Sequence, residues 1–199
     1  MENIFEPLNI ISKNALLEFF RYHAKVKTPA PYTRGMPFLT WDNKHCGNGL
    51  TIHDDEFTVS NKNSGHQTVR TKEIICGKGI YEWDIIIEEC CVSTWVGVCT
   101  ESGLDYNDFA GYQPHGWAFG SCGSVYNNNK ESGYASSFGK GDRISVHLNM
   151  NEKTCAFSIN GTKYGNVAAW TNLSDRLYPV VSITTPGRSR IQLYKKFNR

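Results

Sequence analysis

Period-two alternation, sustained from Pro37 almost to the C-terminus, is what most narrows the folds open to this chain. In residues 80–88, Tyr81, Trp83, Ile85 and Ile87 share one side of an extended segment, while Glu82, Asp84 and Glu88 share the other, with Ile86 the exception. Residues 142–150 repeat the arithmetic: Ile144, Val146, Leu148 and Met150 alternate with Arg143, Ser145, His147 and Asn149. Cys155, Phe157 and Ile159 carry it on until Asn160-Gly161, a dipeptide suited to the two positive φ angles of a type I′ hairpin turn. That turn also explains Asn160 without invoking the glycosylation sequon in which it stands. Residues 95–99 and 177–183 are apolar on both sides, as central strands covered from both faces should be. Short runs of this kind, broken by Gly, Asn and Asp, predict an all-β antiparallel sandwich.

One segment departs from the pattern. Residues 10–25 place Ile10, Leu17 and Ala24 on one helical stripe with Leu16 and Phe20 beside it, and Ser12 stands as a possible N-cap. Thr28-Pro29-Ala30-Pro31 then forces a stop, because proline lacks the amide donor and biases the residue before it to extended geometry. The expected organisation is a short N-terminal helix with a proline-containing linker over 1–36, and the sandwich over 37–199. The helix is expected to cover a sheet face of its own domain, or else to drive self-association through Leu16, Phe19 and Phe20. We expect a monomer.

A chain of 199 residues can bury enough surface for one core without staples. No apolar run approaches the roughly 18 residues of a membrane-spanning helix. Lys plus Arg is 21 against 19 for Asp plus Glu, and the resulting +2 supplies no field for nucleic acid or anionic lipid. The seven cysteines are scattered, odd in number and without a CxxC pair, so they outline neither a disulfide frame nor a zinc site. With Glu2 and Glu6 in the opening residues and no secretory pattern there, the expected location is cytoplasmic.

No metalloprotease, nucleophile-elbow, P-loop or dinucleotide motif occurs. Cys122 with His115 could imitate a thiol–imidazole pair, but no third orienting group is evident. The chain is therefore read as non-catalytic, with no cofactor and no metal.

Six ordered blocks resemble the SPRY domain family: Gly77–Trp83, Trp95–Val98, Gly111–Trp117, Gly141–Val146, Cys155–Gly161 and Leu177–Ser182. The resemblance spans about residues 48–197 and implies a bent two-sheet sandwich of the concanavalin-like kind. It also implies a protein-interaction module that captures peptides or folded partners through loops at one end, possessing no active site. One SPRY subgroup, which takes short Asn-rich peptides, carries Val-Trp-Gly where this chain has Thr184-Thr185-Pro186-Gly187, so that ligand does not transfer. The subgroup's pocket tyrosine corresponds to Tyr106. A ubiquitin-ligase role is not implied.

Candidate contacts lie in three loops. Segment 101–116 offers Tyr106, Phe109 and Tyr112 among Asp105, Asp108 and His115, and aromatics with polar tips make good interface anchors. The plainer reading is that Phe109 and Tyr112 plug the sandwich end, that His115 is an ordinary surface histidine and that Trp117 is core. Segment 184–190 offers Thr185, Pro186, Arg188 and Arg190, whose guanidinium groups could grip a carboxylate or merely protect an edge. Segment 61–66 adds Asn63. The acidic-aromatic and basic loops would together form a bipolar patch for an extended peptide. Segment 121–134, with three successive asparagines, is expected to be a mobile connection with a wet tip, or else only a long hairpin connection. The alternative function is carbohydrate binding, with Tyr106, Tyr112, Trp117 and Tyr126 stacking on sugar rings.

Overall fold

The structure, a computed structural model, describes residues 39–90 and 92–197, without the side chains of 193–196. The helix expected over 10–25 and the 1–36 unit lie outside the described residues. Numbered in chain order, the strands of one sheet run β1 (Trp41–Cys46), β4 (Gln67–Thr71), β14 (Arg176–Ile183), β7 (Thr94–Cys99), β8 (Gly116–Gly120), β9 (Ser124–Asn127) and β10 (Lys130–Gly133), and β5 (Ile75–Cys76) pairs with β14. The other runs β13 (Thr162–Lys163), β12 (Thr154–Ile159), β11 (Arg143–Asn149), β6 (Ile80–Cys90), β15 (Gly187–Phe197), β3 (Thr58–Asn61) and β2 (Leu50–Ile52). The expected two-sheet antiparallel sandwich is what forms.

Register follows the apolar alternation. Val146 lies between Trp83 of β6 and Phe157 of β12, Ile144 between Ile85 and Ile159, and Leu148 between Tyr81 and Cys155. These rows face Val96 and Val98 of β7, Trp117 and Phe119 of β8, and Val181 and Ile183 of β14 across a single core. Each such buried side chain contributes about 1.5–3 kcal/mol, and slipping one strand by one residue would turn its whole set to water. Register is thereby fixed.

Two turns show how local chemistry decides the connections. Asn160 and Gly161 have φ of 51° and 88°, the predicted type I′ geometry. The Asn160 side chain is engaged at both ends, its Oδ1 accepting from Arg143 N at 2.9 Å and its Nδ2 donating to Asp142 Oδ1 at 2.7 Å. Of the two readings of segment 121–134 the hairpin is what forms: it is the tight β9–β10 hairpin, in which Asn128 and Asn129 take φ of 51° and 57°. Asparagine tolerates that left-handed region better than other non-glycine residues, so the asparagine run is turn chemistry rather than looseness.

Candidate functional site

Alternation along the first sheet also fixes what its outer side carries: Thr68 and Arg70 of β4, Tyr178, Val180 and Ser182 of β14, Trp95 and Cys99 of β7, and Ala118 and Gly120 of β8. Most are buried, and what covers them is segment 101–116, which leaves β7 and crosses this side before entering β8. Its peptide groups are pinned to the sheet. Thr68 N donates to Tyr106 O at 2.8 Å, Thr68 Oγ1 donates to Asp108 O at 2.6 Å, and Ala110 N donates to Ser182 Oγ at 3.2 Å.

At the centre of the crossing sits Phe109, 1% exposed. Its ring is 4.5 Å from Trp95, 4.8 Å from Tyr112, 5.3 Å from His66 and 5.6 Å from Tyr126 between centroids, mostly edge-on or tilted. Trp95 can lie flat here because residue 120 is glycine: an added Cβ would run into the indole. Tyr112 remains 46% exposed above this floor. The Tyr126 hydroxyl donates to Glu131 on the neighbouring strand; burial and then that carboxylate push the phenol's pKa up. Hydrogen bonds from Tyr126 and Ser124 hold Glu131 below its ordinary pKa. Burial pulls His66 down against the opposing pull of Asp108.

A second piece of the same crossing is polar. Arg70, 4% exposed, places its guanidinium 3.7 Å from the Tyr178 ring centroid, donates from Nη1 to Thr71 O at 3.1 Å and from Nε to the Tyr106 hydroxyl at 3.1 Å. Asp42 Oδ2 stands 3.9 Å from Nη2 and 2.7 Å from His45 Nδ1. Burial works to raise the Asp42 carboxyl, but the Lys44 amide, His45 and Arg70 outweigh it and hold it below the usual value. Burial, reinforced by Cys99, pushes the Tyr106 phenol up to about 12.

At the nearby end, Asn61 ties two loops together. Its Nδ2 donates to Ile183 O at 2.8 Å and Gly65 O at 3.1 Å, while its own carbonyl accepts from Thr185 Oγ1 at 3.2 Å. Asn63 and Pro186 are exposed there, and the Thr185–Pro186 peptide is cis.

The family model of the SPRY domain matches residues 80–196, which takes in β6 to β15. The chain belongs to the SPRY domain family. Ran-binding protein 10 of Danio rerio is 28% identical over 144 residues, covering 70% of this chain and 23% of that protein. Ran-binding protein 9 of Xenopus laevis is 31% identical over 114 residues, covering 56% and 20%. The chain thus spans less than a quarter of these curated relatives. Among solved structures, the SPRY domain of human HERC1 aligns with a TM-score of 0.65 at 21% identity over 76% of this chain and 96% of that one. Stonustoxin aligns at 0.61 and 18% identity over 78% and 27%. SPRY domains are generally protein–protein interaction modules.

Within this SPRY domain the sequence candidates divide. Phe109, Tyr112 and Asp108 meet His66 of the 61–66 loop, which brings Asn63, Thr185 and Pro186 to the same end. Phe109 is a buried floor rather than a free contact, and Tyr106 spends its hydroxyl on Arg70. Arg188 does not join them. Ser189 between Arg188 and Arg190 is fully buried toward the core, so both arginines point outward from the opposite sheet, where Arg188 Nε is 2.8 Å and Arg190 Nε 2.7 Å from Glu88. The bipolar patch expected from the two loops is corrected accordingly: the carboxylate that these guanidinium groups grip is the domain's own. His115 lies against Gly103 where β8 begins, one strand length, roughly 17 Å, from Cys122 at its other end, so the thiol–imidazole pair does not form. Trp117 is core, 3% exposed, which removes one ring from the sugar-stacking set. Sequence reasoning brought the 61–66 loop, with His66, to this end but overlooked Trp95 and Tyr126 as neighbours of Phe109, because contacts across a crossing loop leave no spacing signal.

The outer side of the second sheet carries a different array. His147 of β11 bonds Glu82 Oε1 through Nδ1 at 2.8 Å and Ser158 Oγ through Nε2 at 2.6 Å. The order matches a hydrolase relay. Ser158, however, is only 4% exposed and lies on a flat sheet rather than a strained turn, so the row serves as a cross-strand clamp. Among the described residues no cluster of His, Cys, Asp and Glu could hold a metal, and no helix is long and apolar enough to cross a membrane.

Proposed function

We propose that this SPRY domain is a non-catalytic adaptor that binds a peptide or protein segment over Tyr112, with Phe109 as floor, His66, Asp108 and Tyr126 as walls, and Asn63, Thr185 and Pro186 extending the surface. The single observation that carries this reading is an exposed tyrosine set on a buried aromatic cluster, whose loop is anchored by its backbone. Rigid aromatic anchors with a polar rim supply contact area at low entropy cost. Tyr106 contributes by holding the loop over Arg70. We place the protein in the cytoplasm; the free thiols of Cys46, Cys76, Cys90, Cys99, Cys122 and Cys155 support that.

The test is site-specific photo-crosslinking in cells, with the reactive side chain at position 112 or, as control, at 188. A partner trapped from 112 and absent from 188 supports the reading, and its loss from 112 when Phe109 is replaced by Ala ties it to the cluster. The relatives are named for binding Ran, which makes that protein the first purified candidate to try. Equal trapping from both positions, or none from 112, defeats the proposal.

A further inference from the structure

We infer that the partner segment carries a basic side chain, its cationic head held against Tyr112 and Tyr126 with Asp108 on one flank and Glu131 on the other. This rests on the interaction reading above and names the chemistry that the same surface would select.

The charge pattern comes first. From Glu101 through Asn129 the chain has Glu101, Asp105 and Asp108 and no Lys or Arg; Lys130 follows beside Glu131, and Glu101 is paired with Arg176. The crossing segment itself, 101–116, carries Asp105 and Asp108 with no basic residue of its own. Asp108 is exposed and near enough to His66 to act on its charge, and Glu131 is an exposed carboxylate at the Tyr126 hydroxyl.

The rings supply the second, independent observation. Tyr112 and Tyr126 stand 6.5 Å apart between centroids at 67°, both packed against Phe109. Aromatic faces attract a cation within about 6 Å of the centroid, and burial keeps His66 from offering a competing positive charge at neutral pH. Arg70, the guanidinium beneath the crossing, is already engaged with Tyr178 and the Tyr106 hydroxyl. An aliphatic or proline side chain could fill the same space but would make no use of the flanking carboxylates.

The experiment pans the full chain against a random-peptide phage library, then measures synthetic versions of the enriched peptides by fluorescence polarisation at low and high salt. The expected result is a shared Lys or Arg whose replacement by Gln weakens binding about fivefold or more. Tyr112→Ala and the double change Asp108→Asn with Glu131→Gln should each weaken it comparably, salt should weaken it further, and Arg188→Ala should leave it unchanged. Thermal melts of each variant establish that it is folded, and the charge-neutral pair serves if Tyr112→Ala is not. Peptides lost with Tyr112→Ala but lacking a basic residue, or indifferent to the two acids, overturn this inference and leave the interaction reading standing. Peptides indifferent to Tyr112→Ala, or none enriched, sink both.

Discussion

Arg70 donates from beneath to the hydroxyl of Tyr106 at 3.1 Å, joining a nearly buried charge in the sheet to the loop that crosses over it. Tyr106→Phe removes the acceptor and leaves a charged donor buried without it. The expected cost is about 1–3 kcal/mol in urea-unfolding stability, with little change in the shape of the patch. A variant as stable as the parent would show that the bond is dispensable.

Phe109 and Tyr112 should separate stability from binding. Phe109→Ala empties a fully buried ring and should cost about 3–5 kcal/mol of unfolding free energy. Tyr112→Ala, on an exposed ring, should change stability by within about 0.5 kcal/mol while costing about 1–3 kcal/mol in partner affinity. Calorimetric unfolding beside titration of the same two proteins reads both quantities.

The cross-strand clamp of Glu82, His147 and Ser158 gives a third expectation. His147→Ala strips a partner from the buried Ser158 hydroxyl and from the half-buried Glu82 carboxylate, and should destabilise by about 1–3 kcal/mol. A fluorophosphonate probe should leave Ser158 unlabelled in the folded protein, as mass spectrometry of the modified chain would reveal. Stoichiometric labelling would mean that the row works as a nucleophile.

Acid should weaken the fold through Asp42 and Asp55. Burial acts to raise both carboxyls, but hydrogen bonds outweigh it: from Lys44 and His45 for Asp42, and from Thr58 and Phe57 for Asp55, so both end below their ordinary 3.8. A depressed folded value means that the unfolded chain takes up the proton first, so their contribution is complete above 3.8 and drains away as pH falls below it. His66, also depressed by burial, adds a loss that begins as pH falls through its ordinary 6.5. Denaturant midpoints measured from neutral to acid should fall in both windows, and Asp42→Asn should flatten the lower one.

The strands of the core were legible because period-two burial writes itself into the chain: Tyr81, Trp83, Ile85 and Ile87 all face inward as their spacing says. Asn160-Gly161 was legible for the same local reason. The asparagine run at 127–129 left a hairpin and a mobile connection both open, since a turn built on Asn-Asn lacks the glycine that usually announces it. The site was half legible. Composition pointed to Tyr112 and Asp108, but whether an aromatic in a crossing loop becomes floor or rim depends on what lies below it, and Phe109 meets Trp95 only after β7 and the loop have folded together. Arg188 misled because its neighbours in sequence lie near the patch while the pleat turns its side chain to the other side of the sandwich.

The loop at 101–116 is gripped through the carbonyls of Tyr106 and Asp108 and the amide of Ala110, main-chain groups that any residue but proline supplies. Its outward letters are therefore separable from its seat. A library diversified at Tyr112, with Asp108 kept for its bond from the Phe109 amide, should keep the same loop path while changing what it recognises, which makes this crossing a natural frame for engineering new specificities.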